Sequence, residues 1–370
     1  MSVELYDWLD TRRQDAIHVY MLSPTGNNEV LGELEGVILS SSSLDYGYYS
    51  DTRVSASITY AGDSWIRGTF LRIVHEVPEW GYTNTLGTFI VTSEDASLER
   101  GVWRTTLTLH SMLMPLSTEL LTAPLTRAQG ASALTTFGTL CTKAGRRYNT
   151  SGANDAVASS AEVYEAGSTI ITHLFDLCDS ANNRLDVAPD GTIVAEPYVL
   201  PAAKTAQWTL DTEAIRGTTT GALSRSSNGL EMPDTVAVQY TYQDDENNDR
   251  EIIGVAKLTN SQYSASERGY SITDFRSITD MTPATQARAD ELAKTYLAKQ
   301  TTEKVEWDVT SIYLPLWEGD VVNVVVRDGD TNYQGTRKCL VKSASIALDT
   351  LQMDLVLKET ASGDWEDSDE

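Results

Sequence analysis

Residues 168–199 read STIITHLFDLCDSANNRLDVAPDGTIVAEPYV. The apolar positions Ile171, Leu174, Phe175, Leu177 and Cys178 recur at helical spacing, which predicts a helix. Ser168 or Thr169 stands where a hydroxyl can accept an unpaired backbone N–H and cap its start. Asn182-Asn183 tolerates the left-handed conformation that ends a helix. Arg184 to Val187 then reads as a strand, Pro189-Asp190-Gly191 as a turn, and Thr192 to Ala195 as the returning strand. The stretch is a mixed helix–hairpin unit, a shape common to many folds.

Strand signals dominate on both sides of it. Upstream, Ala16 to Met21, Val30 to Leu39, Arg53 to Tyr60, Trp65 to His75, Leu86 to Ser93 and Gly101 to Met112 read as strands, with turns such as Ser23 to Asn28 between them. In the third of these, Val54, Ala56, Ile58 and Tyr60 share one face. Many strands at short spacing argue for a sandwich or barrel. Near Pro124 the composition changes: Ala128 to Ala144 reads as helix, ended by Gly145, and Asn149 to Val157 as a polar loop. From Trp208 strands return. Thr235 to Tyr242 and Glu251 to Lys257 make a hairpin around an acidic turn, Asp244 to Asp249. Thr282 to Lys299 is an amphipathic helix with Thr282 as cap and Pro283 in the first helical position. Glu303 to Ile312, Asp320 to Arg327, Thr336 to Leu348 and Leu351 to Leu357 are antiparallel strands, and the final GDWEDSDE lacks an apolar pattern and is expected to be mobile.

The 370 residues carry 53 acidic and 28 basic side chains, a net charge of −25. Such a surface argues against direct nucleic-acid binding, which needs cations to displace phosphate counterions. Cys141, Cys178 and Cys339 lie far apart in apolar patterns, so buried free thiols are expected rather than disulfides. The N-terminus MSVELYDWLDTRRQ lacks a signal-peptide core, and no stretch reaches membrane-span length, so synthesis in a cytoplasm is the default.

Chemistry-bearing patterns are weak. His18, His75, His110 and His173 lack a second ligand at metal spacing, and His75-Glu76 is followed by Pro78, which breaks a zinc-protease helix. Asp328-Gly329-Asp330-Thr331-Asn332 fails the calcium-loop pattern at Tyr333 and Cys339. Asp244, Asp245, Glu246 and Asp249 read as a solvated turn. No nucleophile elbow, Walker loop or dinucleotide fingerprint is present. No catalytic, cofactor or metal residue is assigned, no cofactor is expected, and the chain reads as a non-enzyme. The 17 tyrosines and 8 tryptophans suit cross-strand pairs, with a sugar-binding face as the alternative.

Several segments in order carry a resemblance. The helix–hairpin unit, Leu86-Gly87-Thr88-Phe89-Ile90-Val91, Ser224 to Val238, Val305-Glu306-Trp307-Asp308-Val309 and Pro315-Leu316-Trp317-Glu318-Gly319-Asp320-Val321-Val322 together resemble the baseplate and tail-tip hub proteins of tailed bacteriophages. The resemblance implies a mainly β fold with α+β insertions: two tail-tube-type barrel domains, a mixed helix–hairpin domain and a small helical insertion. The expected boundaries are a first barrel domain at 1–125, an α+β insertion at 126–204, strands returning to the barrels at 205–275, a helical insertion at 276–303, a second barrel domain at 304–360 and an acidic tail at 361–370.

It further implies a homotrimeric ring that caps the sixfold tail tube in the virion tail tip, is assembled in the host cytoplasm and serves genome ejection. The implied partners are the tail tube protein and distal tail protein rings, tail-tip fibre or spike proteins and the C-terminus of the tape-measure protein. DNA would pass through the lumen without specific binding. With no long fibre or peptidase domain after the last strands, receptor binding or piercing would fall to another protein. Strand alternation fixes a face but not which face is the lumen; acids within strands, such as Glu306 and Asp308, are better lumen candidates than acids in turns and tails, which usually project at rims. The alternatives are a hexameric distal tail protein and a β-rich carbohydrate-binding protein.

Overall fold

The computed structural model describes residues 14–23, 29–63, 69–211, 224–227, 232–243, 249–259, 261, 263–279, 285–301, 305–326, 335–360 and 364–366. The turn at 24–28, the acidic turn at 244–248, the 328–332 loop and the expected helix start at Thr282-Pro283 lie outside them.

The fold is mainly β, as expected. A 13-stranded sheet combines strands from both strand-rich regions. The join is antiparallel pairing of Ser43–Gly47 with the far end of Gly335–Ala347, Leu44 opposite Ile346 and Tyr46 opposite Ala344. The two regions are therefore one sheet, and the sheet does not close on itself among the described residues. Alternation explains its core. Val54, Ala56, Ile58 and Tyr60 are all buried, and they share one hydrophobic cluster with Leu107, Leu109, Trp307, Val309, Val341, Ile346, Leu355 and Leu357. Side chains on one sheet face have a period of two, so these strands give alternate residues to that cluster, with Gly335–Ala347 changing phase at the bulge between Val341 and Ser343.

The helix–hairpin unit forms as read. Helix Ile170–Ser180 leads into strands Asn183–Val187 and Ile193–Pro197, with Asn182 left-handed at φ +53°. Its cap differs from the expectation. Thr169 is the N-cap residue but makes no cap bond, because its hydroxyl pairs with Thr172 Oγ1 at 2.7 Å. The Ser168 hydroxyl faces Glu165 O and the His173 ring instead. The preceding helix is shorter than read: it spans Ala133–Lys143, and Ser132 Oγ accepts from the Thr135 N–H as its cap. Gly130 at φ +76° keeps 128–131 out of it. The two helices and the hairpin bury Phe137, Leu140, Leu174, Leu177, Leu185 and Ile193 together with Leu22 and Phe70 of the large sheet and Met112 just after its strand Val102–Ser111.

Strands at 205–275 were expected to return to the barrels, and the pairing corrects this. Trp208–Asp211 and Ser224–Ser227 do join the large sheet. Thr235–Gln243, Asp249–Thr259 and Thr273–Thr279 form a separate sheet. Val236, Val238, Ala256 and Leu258 bury against Ala293 and Leu297 of helix Gln286–Thr301, so alternation gave the right face but not the layer that covers it. The tail is corrected too: Asp364–Glu366 pairs antiparallel with Lys257–Thr259, a backbone ladder that needs no apolar pattern.

Candidate functional site: an open acidic sheet face and its anchored end

The face of the large sheet opposite its core is covered at one end and open in the middle. At the covered end, Leu22, Phe70 and the partly buried Ile90 meet the core of the helix–hairpin unit. In the middle, cross-strand partners line up on one face. One row runs Thr310, Asp354, Ser345, Asp45, Ser55, His110 across six adjacent strands. The next holds Asp308, Val356, Ser343 and Gly47. Asp45, Asp308, Asp354 and Ser345 are exposed. They flank a groove of about 480 Å³. Thr310 Oγ1 donates to Asp354 Oδ1 at 2.7 Å and Ser224 Oγ to Asp308 Oδ2 at 2.9 Å, so each of these carboxylates accepts from a hydroxyl on the neighbouring strand. Short acidic and hydroxylated side chains make a wetted wall rather than a packing surface.

Of the two strand acids read as lumen candidates, both lie on this face, but they differ in charge environment. Asp308 is exposed, whereas Glu306 is paired with Lys342 at 2.6 Å and lies 3.9 Å from Lys358. Sequence reading missed Asp45 and Asp354. Asp354 sits in an expected strand and alternation would have placed it opposite Leu355; the strand of Asp45 was not anticipated.

The covered end is tied down by polar contacts as well. Arg53 Nη2 donates to Leu185 O at 3.1 Å, Thr88 Oγ1 to Pro189 O at 2.8 Å and Lys204 Nζ to Gly319 O at 2.8 Å. Arg184 lies 2.9 Å from Asp186 and stacks over the Tyr48 ring at 4.4 Å. Beside it Glu318 is buried, and burial, with Asp186 adding, pushes its pKa up to about 8 against the pull of Arg184 and Arg53. Asp320 is raised by the same burial.

Catalytic geometry is poor where it comes closest. Ser168 Oγ stands 2.6 Å from His173 Nε2. The same hydroxyl donates to Glu165 O at 2.6 Å, which leaves the ring N–H as donor to Oγ. A ring in that role does not take the serine proton. His75 is fully buried, with Nε2 2.7 Å from Asp15 and its ring against Tyr82 and Tyr313, a core histidine. No group of three metal-ligating side chains occurs among the described residues. Cys141, Cys178 and Cys339 are free and buried, as expected.

No protein-family model matches the chain, and no curated protein matches it in sequence. Solved structures do match. A tail protein from Neisseria meningitidis MC58 aligns over 93% of this chain and 96% of its own length, with TM-score 0.67 and 14% identity. The 43 kDa tail protein of prophage MuSo2 from Shewanella oneidensis aligns over 95% and 100%, with TM-score 0.61 and 10% identity. Prophage tail protein gp18 from Listeria monocytogenes EGD-e aligns over 94% and 95%, with TM-score 0.57 and 12% identity. Across nearly its whole length, this chain has the fold of these three tail proteins, two of them from prophages.

Proposed function

We propose that the chain is a structural component of a phage tail tip or baseplate hub: a trimeric ring that caps the sixfold tail tube and forms part of the DNA channel. The observation that carries this reading is the end-to-end likeness to three tail proteins, which leaves little of either chain unaligned. The Ser43–Gly47 pairing with Gly335–Ala347 supports it, because it fixes the two strand-rich regions side by side. One subunit can then present two tube-type arcs, around 1–125 and 304–360, and three subunits match sixfold symmetry.

In this reading the open face with Asp45, Asp308 and Asp354 turns to the lumen. A net charge of −25 exceeds the magnitude of roughly 2–8 that keeps a small domain soluble. Like charge on the wall repels phosphates and lets DNA slide. The partners are the tube and distal tail rings, the tape-measure C-terminus and tail-tip fibres or spikes, and the chain itself catalyses nothing. Light scattering of the purified chain with its tube protein tests the ring: a multiple of three is expected. A hexamer with one barrel per subunit overturns the hub in favour of a distal tail protein.

A further inference from the structure

The small sheet that packs under helix Gln286–Thr301 has one edge met by the chain's own strand Asp364–Glu366. Its other edge is Thr273–Thr279, TDFRSIT, which among the described residues pairs on one side only, parallel to Thr235–Gln243. It carries no proline and no lysine, two of the devices that blunt an exposed edge. Ile272 O accepts from the Thr235 N–H, so in this parallel ladder Asp274, Arg276 and Ile278 turn their backbone groups towards Thr235–Gln243. Thr273, Phe275 and Ser277 turn theirs outward.

The side chains divide by the same alternation. Asp274 and Arg276 lie on the helix side, where Asp274 accepts from Gln300 at 2.6 Å and Arg276 stands over the Tyr296 ring at 4.5 Å. Phe275 lies on the opposite, open side, 58% exposed, in a row with Ala237 and Val255.

This edge is complementary to itself when reversed. Antiparallel pairing about Phe275 sets it opposite a second Phe275, Asp274 opposite Arg276, and Thr273 opposite Ser277. The outward backbone groups then fall in the hydrogen-bonded pairs of the new ladder. Aromatic and opposite-charge pairs stabilise such a ladder, and like charges face to face destabilise it. Within one chain Arg276 Nε lies 2.8 Å from Asp274 Oδ2, both partly exposed. Across the edge the four charges alternate in sign, whereas pairing about Arg276 would set two guanidiniums together. The charges therefore select the register.

We propose that Thr273–Thr279 is an interaction surface for a second copy of this chain: the two edges pair antiparallel about Phe275 across a twofold axis, and the two small sheets become one. The contact lies outside both tube-type arcs of the hub reading and is measured on the full chain without tube protein, so the two readings fail separately.

Oxidation of T273C, S277C and their equimolar mixture with copper phenanthroline tests the register on non-reducing gels. Paired positions stand about 5.5 Å apart, Cα to Cα, within disulfide reach. The native thiols are buried. A linked dimer is expected in the mixture, severalfold above either variant alone. Sedimentation velocity of the unmodified chain should show the dimer. R276D should weaken it on the order of tenfold by opposing like charges. D274R/R276D restores opposite charges and should recover it, each variant keeping the melting transition of the parent. A mixture that links no better than either variant alone overturns the proposal. So does association unchanged by R276D, or a chain that stays monomeric up to millimolar concentration.

Discussion

Arg184 Nη2 stands 3.5 Å from Glu318 Oε1, a contact between residues 134 apart in sequence that sets the hairpin against the turn leading into strand Val321–Val326. The length suits a carboxyl that burial keeps protonated, with its pKa raised from 4.5 to about 8. Because the folded value is raised, Glu318 stabilises the fold fully below about pH 4.5, and that contribution is lost as pH rises through about 8. Stability should therefore fall between about pH 5 and pH 9, by on the order of 1–3 kcal/mol from this group. Glu318→Gln should flatten the fall. Calorimetric melts across that range check it, and parallel curves for the two proteins would refute it.

Gly319 follows directly, with φ +87°. A Cβ there would collide with Arg184 Nη1 and crowd the Tyr48 ring. Gly319→Ala should cost about 2–4 kcal/mol, the sum of backbone strain and displacement of a buried cation. Gly81, at φ +59° with nothing within 4 Å of an added Cβ, supplies the control. Gly81→Ala should cost only about 1 kcal/mol. Urea unfolding midpoints compare the two, and equal losses would remove the steric argument.

The thiols should be silent in the folded chain. Burial pushes Cys141 and Cys178 up to about 12 and raises Cys339 as well. The thiolate is the reactive form, so Ellman's reagent at about pH 8 should find no reactive thiol until denaturant exposes all of them. Native labelling at the rate of free cysteine would contradict the burial.

Local patterns were legible because their causes are local. The spacing of Ile171, Leu174 and Leu177 marks a helix wherever it lies, and Asn182 ends it by a property of its own backbone. The alternation of Val54, Ala56 and Ile58 marked a buried face correctly. What covers a face is not local. Val236 and Val238 alternate as a barrel strand would, yet they pack under Leu297. The candidate site was half legible: Asp308 and Glu306 stood out as acids within a strand, but the Lys342 that neutralises Glu306 comes from a strand 36 residues on. The Leu44–Ile346 pairing that joins the two regions has no signature in either segment alone.

The open face carries the last prediction. Asp45, Asp308 and Asp354 are exposed and hold no core contact, so replacing all three by lysine should change stability little, about 0.5 kcal/mol or less per site. The chemistry of the wall would reverse. Lysines across one face of the sheet offer phosphate contacts, and DNA retention should appear and weaken steeply with salt. A control must carry the same change in net charge elsewhere. Glu35, Asp51 and Glu165 are exposed and belong to no cross-strand row of that face. Gel retardation of DNA and the rate of DNA release from assembled tails, compared at low and physiological salt, separate the two. Retention confined to the Asp45, Asp308 and Asp354 variant supports a channel wall. Equal retention by both variants would mean that net charge alone matters, and the open face would lose its claim to the lumen.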